Sequence, residues 1–227
     1  MDVNACKLDL HPRTAVIGLG GAGCSIAKKF MESLAPTDII AIDTDADSLR
    51  FAVADYKLPI GNESAECSEK KDEGSQAVCS SSDIKKISEI LKGYDIIAIV
   101  AGMGGKTGTN TAPVIAEIAD RIGVLSMAVA VRPLSSENKD SVAKAGIARL
   151  KSVCSSTVSV YNDKIKLLYP GLSLSEVFNK VNAEVEIFVR KKMRMASDLL
   201  TSEIMKAMLS RSGQENTVGI RANTTFA

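Results

Sequence analysis

Short runs of apolar, often β-branched residues recur along the chain, separated by stretches in which apolar positions return every three or four residues. "TAVIG" (Thr14 to Gly18), "DIIAID" (Asp38 to Asp43), "YDIIAIVA" (Tyr94 to Ala101), "VLSMAVAV" (Val124 to Val131) and "STVSVY" (Ser156 to Tyr161) are apolar on both faces. That is the signature of strands in a parallel sheet covered on both sides. Between them, Gly23 to Leu34 carries Ile26, Phe30 and Leu34 at helical spacing. Pro113 to Ile122 carries Val114, Ile115, Ile118 and Ile122 and ends at Gly123, a C-cap signal. A later helix is marked by Ser173 and Glu176, spaced as a capping box, and by the stripe Leu174, Val177, Val181, Val185 and Phe188. Strand and helix in alternation predict an α/β fold with a doubly wound, mostly parallel sheet. Glu63 to Ser82, rich in Ser, Glu and Lys, predicts a long loop or insertion.

Composition narrows the function classes. A chain of 227 residues with net charge +1 suits one domain, or one with appendages, and gives no sign of a nucleic-acid binder. No apolar run reaches the roughly 18 residues of a membrane span, and "MDVNACKLDLHPR" offers no signal-peptide stretch, so a cytoplasmic location is expected. The five cysteines are odd in number, widely spaced and without CxxC, which argues against a disulfide frame or zinc site. His11 is the sole histidine, which argues against a histidine-based metal centre or a Ser-His-Asp triad.

The candidate chemistry lies in two glycine-rich loops. In "GLGGAGCS", Gly18, Gly20 and Gly23 form G-x-G-x-x-G after a strand, and Asp43 closes the next strand 20 positions after Gly23. Alone, this is the dinucleotide fingerprint, with phosphate on a helix N-terminus and a carboxylate for the ribose. The second loop, "GMGGKTGTN", also follows a strand. It is not a P-loop, because the glycine required five positions before Gly105-Lys106-Thr107 is Val100. Two such loops at the carboxyl ends of strands in one sheet can close on one polyphosphate from two sides.

With that combination the chain resembles the tubulin/FtsZ superfamily of GTP-binding, filament-forming proteins, from about Arg13 to Ile220. The family's G-G-G-T-G-T-G loop stands here as Gly104-Gly105-Lys106-Thr107-Gly108-Thr109-Asn110. "GLGGAGCS" matches its first phosphate loop, "AIDTDADSL" its second, "RPLSSE" its sugar loop, "YNDKI" its asparagine-containing stretch and "EVFNKVNAEV" its central helix. The resemblance implies a Rossmann-like GTPase domain over 1–172, a central helix and following helical segment over 173–211, and a remnant strand of a second domain over 212–227. It implies that Gly20, Gly21, Ala22, Gly104, Gly105, Lys106, Thr107, Gly108 and Thr109 hold phosphate, with Asp43 in the second loop. Glu137 would hold the ribose, and Asn162, Phe178 and Asn182 the base. Phe178 and Asn182, four apart, share one helical face. The implied ligand is GTP or GDP, with Mg²⁺ admitted as a companion. The implied partners are further copies of the chain, as a homo-oligomer or filament, and a membrane-associated protein or anionic lipid surface.

Several departures shape the expected activity. The family's N-x-D-x-x-D loop is missing from "LLTSEIMKAM", where Glu203 is the sole carboxylate, so hydrolysis is expected to be slow or absent and no catalytic residue is assigned. A glycine-rich γ-phosphate loop is missing between Asn62 and Ser82. Lys106 replaces a glycine; were φ positive there, it would cost ~1 to 2 kcal/mol. It is either a solvated lysine or a fixed charge for the phosphates. The basic run "RKKMR", Arg190 to Arg194, is either a solvated face or a contact for an anionic surface. Two other functions remain open: an NAD-dependent oxidoreductase using the first loop and Asp43, and a nucleotide-free scaffold.

Overall fold

The computed structural model describes residues 11–32, 37–61, 79–154 and 156–219, with side chains to residue 210. Six parallel strands make one sheet: β1 (Thr14–Leu19), β2 (Thr37–Asp43), β3 (Tyr56–Pro59), β4 (Ile96–Gly102), β5 (Leu125–Arg132) and β6 (Thr157–Tyr161). Their order is β3-β2-β1-β4-β5-β6. Five of them occupy the apolar runs of the sequence. The sixth, β3, is a largely exposed edge strand ending in Pro59, and so lacks the apolar run that marks the others.

Helices α1 (Gly20–Ala27), α2 (Ala46–Phe51), α3 (Ser81–Leu91), α4 (Lys106–Ile122), α5 (Asp140–Val153), α6 (Asn162–Leu168) and α7 (Leu174–Gly219) complete the architecture. Successive strand residues feed opposite faces of the sheet, which is why both faces are apolar. Ile17, Ile40, Ile97 and Ile99 pack beneath Ile87 and Leu91 of α3, Ile115 of α4 and Ile147 of α5. On the other face, Val16, Ile39, Val100 and Val129 meet Ile26 and Phe30 and the α7 residues Val181, Val185 and Val189.

Two helix starts differ from the sequence reading. α1 begins at Gly20 rather than Gly23, and α4 begins at Lys106 rather than Pro113, so both glycine-rich loops run directly into their helices. Glycine and proline normally punctuate helices. Here glycines sit inside the first turns for a packing reason described below, and Pro113 lies within α4. The C-cap at Gly123 is left-handed, with φ +79, as its position suggested.

The Ser173–Glu176 capping box forms: Glu176 Oε2 accepts from Ser173 N–H at 2.8 Å and the Ser173 hydroxyl accepts from Glu176 N–H at 3.4 Å. The buried stripe of α7 is Val177, Val181, Val185, Val189 and Met193, while Leu174 is exposed and Phe188 only half-buried. In place of the strand expected over 212–227, residues 212–219 continue α7. A helix satisfies its own backbone groups without a neighbouring strand. Residues 220–227 lie outside the described residues, as does most of the loop expected over Glu63 to Ser82. Among the described residues no helix is long and apolar enough to cross a membrane.

Candidate functional site

The order β3-β2-β1-β4-β5-β6 reverses direction between β1 and β4, and open α/β sheets bind ligands at the carboxyl ends of strands where that happens. Leu19 at the end of β1 pairs with Ile42 of β2 and Ala101 of β4, so the three segments that follow emerge side by side.

After β1, the chain turns at Gly20, φ +67, into the first turn of α1. A Cβ on Gly23 would lie 2.4 Å from the carbonyl oxygen of Val100, so only glycine lets α1 press against β4. Gly21 faces open space. Cys24, one residue on, donates its S–H to the Gly18 carbonyl at 3.3 Å. Burial, with the Asp43 charge adding to it, pushes this thiol up to about 11, so it remains protonated.

After β4, Gly104 takes φ +94 and donates its N–H to the Thr109 hydroxyl at 2.8 Å, closing the loop on α4. Gly105 is the N-cap and faces open space, and Lys106 is the first helical residue. The strain considered for Lys106 is therefore absent: Asn138 is the sole non-glycine residue of positive φ among those described. Asn110 is likewise helical, its side-chain amide donating to the Lys106 carbonyl at 2.9 Å. A Cβ on Gly108 would sit 2.3 Å from the Gly102 carbonyl oxygen, which explains a glycine in the first turn of a helix. Thr107 ties the loops together, donating to Asp43 Oδ1 at 2.9 Å and meeting the Thr44 hydroxyl at 2.9 Å. The same Asp43 oxygen accepts from Thr44 N–H at 2.7 Å, so this buried carboxylate braces the loops.

These segments enclose a cavity of about 250 Å³. Of the residues singled out in the sequence, Gly20, Gly21, Ala22, Asp43, Gly105, Lys106, Thr107, Gly108 and Glu137 line it. Gly104 and Thr109 shape the loop without lining it. Lys139, which sequence reasoning missed, also lines the cavity and pairs with Glu137 Oε2 at 3.7 Å. Its nearness to Gly104 is a product of the fold: a Cβ on Gly104 would lie 3.0 Å from Lys139 Cβ. Glu137 Oε1 accepts from Leu134 N–H at 2.9 Å, holding the turn.

The residues expected at the base lie outside this cavity lining. Asn162 begins α6, is buried, and leaves its Oδ1 without a hydrogen-bond partner. Its neighbour Asp163 accepts from the Ser135 N–H and hydroxyl, the latter at 2.6 Å, fastening α6 to the turn that carries Glu137. Phe178 is 39% exposed rather than packed into the core. Asn182 donates to the Ser25 hydroxyl of α1 at 3.4 Å.

The electrostatics favour an anion. Among the described residues, five of the seven α-helices carry an acidic residue in the first turn: Asp47, Asp83, Asp140, Asp163 and Glu176. α1 and α4 have neither an acidic residue there nor a side-chain cap, and both begin at the cavity. Their free N–H groups and positive dipole ends suit phosphate oxygens. A lysine opening α4 instead costs an empty helix roughly 0.3–1 kcal/mol, because the cation sits at the positive end of the dipole.

A profile described as "Tubulin/FtsZ family, GTPase domain" matches residues 13–170. The cell division protein FtsZ of Aquifex aeolicus is 34% identical over 195 residues, covering 83% of this chain and 51% of its own. The chain thus spans about half the length of the curated relatives it matches. Two solved forms of FtsZ from M. jannaschii, both 29% identical, superpose with TM-scores of 0.69 and 0.63. The first covers 79% of this chain and 55% of that one; the second, described as an empty dimer, covers 78% and 52%.

Proposed function

Because the chain belongs to the tubulin/FtsZ family of GTPase domains, we propose that it binds a guanine nucleotide, GTP or GDP, in the cleft between α1 and α4 and self-associates under nucleotide control. The observation that carries this reading is the pair of bare helix N-termini, with open Gly21 and Gly105, converging on one cavity. The phosphates take the N–H groups around Gly20, Gly21, Ala22 and Gly105 to Gly108, and Glu137 takes the ribose. Phe178, already exposed, stacks on the base, and Asn162 and Asn182 hydrogen-bond it; the unpartnered Oδ1 of Asn162 supports that assignment.

Hydrolysis is slow or absent. Glu203 is exposed and engaged by Lys206 at 2.7 Å, which leaves its stretch no free carboxylate to orient water. The empty dimer of M. jannaschii FtsZ supports self-association, as dimer or filament. Lys191, Lys192 and Arg194, all exposed on α7, support contact with a membrane-associated partner or anionic lipid surface. An NAD-dependent reaction is disfavoured because Asp43, its ribose carboxylate, is buried under Thr107.

The test is to denature the purified protein, identify any released nucleotide by chromatography, and titrate GTP, GDP, ATP and NAD into the emptied protein. Guanine selectivity that disappears in Phe178→Ala is the expected result. Preferential NAD binding, or no binding at all, would refute the assignment.

A further inference from the structure

The charges lining the cleft are unusual in their disposition. Lys106 stands at the positive end of a 17-residue helix, where a cation is unfavourable unless an anion offsets it. It is exposed, and among the described residues its ammonium makes no ion pair. Lys139 is held only by Glu137, at 3.7 Å, with about half of its side chain exposed. The two carboxylates of the cleft are both committed: Asp43 braces Thr107 and Thr44, and Glu137 caps its own turn. Among the described residues no group of three or more His, Cys, Asp or Glu is placed to hold a metal ion. The side chains present fit a polyphosphate, then, and do not fit a divalent cation of their own.

We propose that Lys106, seconded by Lys139, takes the part of a divalent cation in this cleft, so that guanosine di- and triphosphate bind without Mg²⁺. The proposal rests on the guanine-nucleotide reading of the cleft. Two ammonium groups carry the charge of one magnesium ion, and these two flank Gly104 and Gly105 within a single cavity. A magnesium ion arriving with the phosphates would meet like charge from both. Lysine donors also move with the ligand, whereas Mg²⁺ completes its octahedron from phosphates, waters and one or two carboxylates, and here the oxygens of Asp43 and Glu137 already hold Thr44, Thr107 and the Leu134 N–H.

The experiment titrates fluorescent GDP and GTP into nucleotide-free protein, in Mg²⁺ and in EDTA, for the wild type, Lys106→Ala, Lys106→Arg and Lys139→Ala. Thermal melting of each variant checks that it is folded; Lys106 is exposed, so its truncation leaves the core intact. The wild type should bind within about threefold in the two buffers. Lys106→Ala should lose about tenfold or more in EDTA and regain part of it with Mg²⁺. Lys106→Arg should retain the wild-type pattern, and Lys139→Ala should show a smaller loss. The assignment is overturned by a wild type that weakens tenfold or more in EDTA, or by Lys106→Ala binding normally there. Failure of every protein to bind guanine nucleotide in either buffer overturns the reading of the cleft itself, whereas binding that requires Mg²⁺ sinks only the role of the lysines.

Discussion

Helices α3 and α4 pack against each other on one face of the sheet, yet they begin in opposite ways. At α3, the Ser80 hydroxyl accepts from Asp83 N–H at 3.1 Å, and Asp83 Oδ2 accepts from the N–H groups of Ser80 and Gly61, both at 3.0 Å. The chain completes that helix from its own side chains. At α4, the N-cap is Gly105, no side chain caps it, and the first helical residue adds positive charge. The same backbone requirement is met internally in one helix and left for an external anion in the other. An unfinished end beside a finished one marks a candidate binding site without reference to any motif.

The largest effect should come from closing the approach that lets α4 start where it does. Gly108→Val drives a side chain into the Gly102 carbonyl, costing about 3 kcal/mol and abolishing nucleotide binding, which urea unfolding and titration would read. Next, Asp83→Ala should cost about 1–2 kcal/mol by removing the carboxylate half of the α3 capping box and its bond to Gly61, with nucleotide affinity unchanged. A loss of affinity there would mean the two helix ends are not independent.

That cap is also pH-dependent. Burial pushes the Asp83 carboxyl up, but the N–H groups of Gly61 and Ser80, the Ser80 side chain and the Lys86 charge outweigh it and hold it below its ordinary value. Its contribution is present above the unfolded value near 3.9 and is lost as pH falls through the lower folded one. The stability gap between wild type and Asp83→Asn, constant at neutral pH, should therefore narrow below about pH 4. The smallest change inverts the comparison. Lys106→Glu gives α4 the acidic first turn of its neighbours, and should stabilise the empty protein by about 0.5–1 kcal/mol while removing phosphate binding. A more stable variant that still binds would break the link between the bare end and the ligand.

Much of this was legible because buried parallel strands write themselves as unbroken apolar runs. β3 escaped for the converse reason: an exposed edge of four residues needs no such run. The start of α4 was hidden because Gly-Lys-Thr-Gly-Thr has poor helix propensity, and tertiary contact at Gly108 overrides it. Both glycine-rich loops that line the cavity could be read from glycine spacing. Lys139 could not, since the fold alone brings it against Gly104. Phe178 and Asn182 were visible on one helical face, but their assignment to a base came from resemblance, and the cavity does not include them.

The spacing of the α7 stripe has a mechanical consequence. Steps of four residues overshoot a full turn by about 40°, so the buried line from Val177 to Met193 winds about 160° around the helix. A helix whose adhesive line winds away from a sheet must part from it, and past Met193 no described side chain of α7 is buried. The remainder is a lever fixed at Met193, where the buried line ends. A tilt of about 5° there would carry Ser210, about 26 Å along the axis, through about 2 Å. Motion too small to rearrange the cleft would be displayed, enlarged, at the far end of the rod.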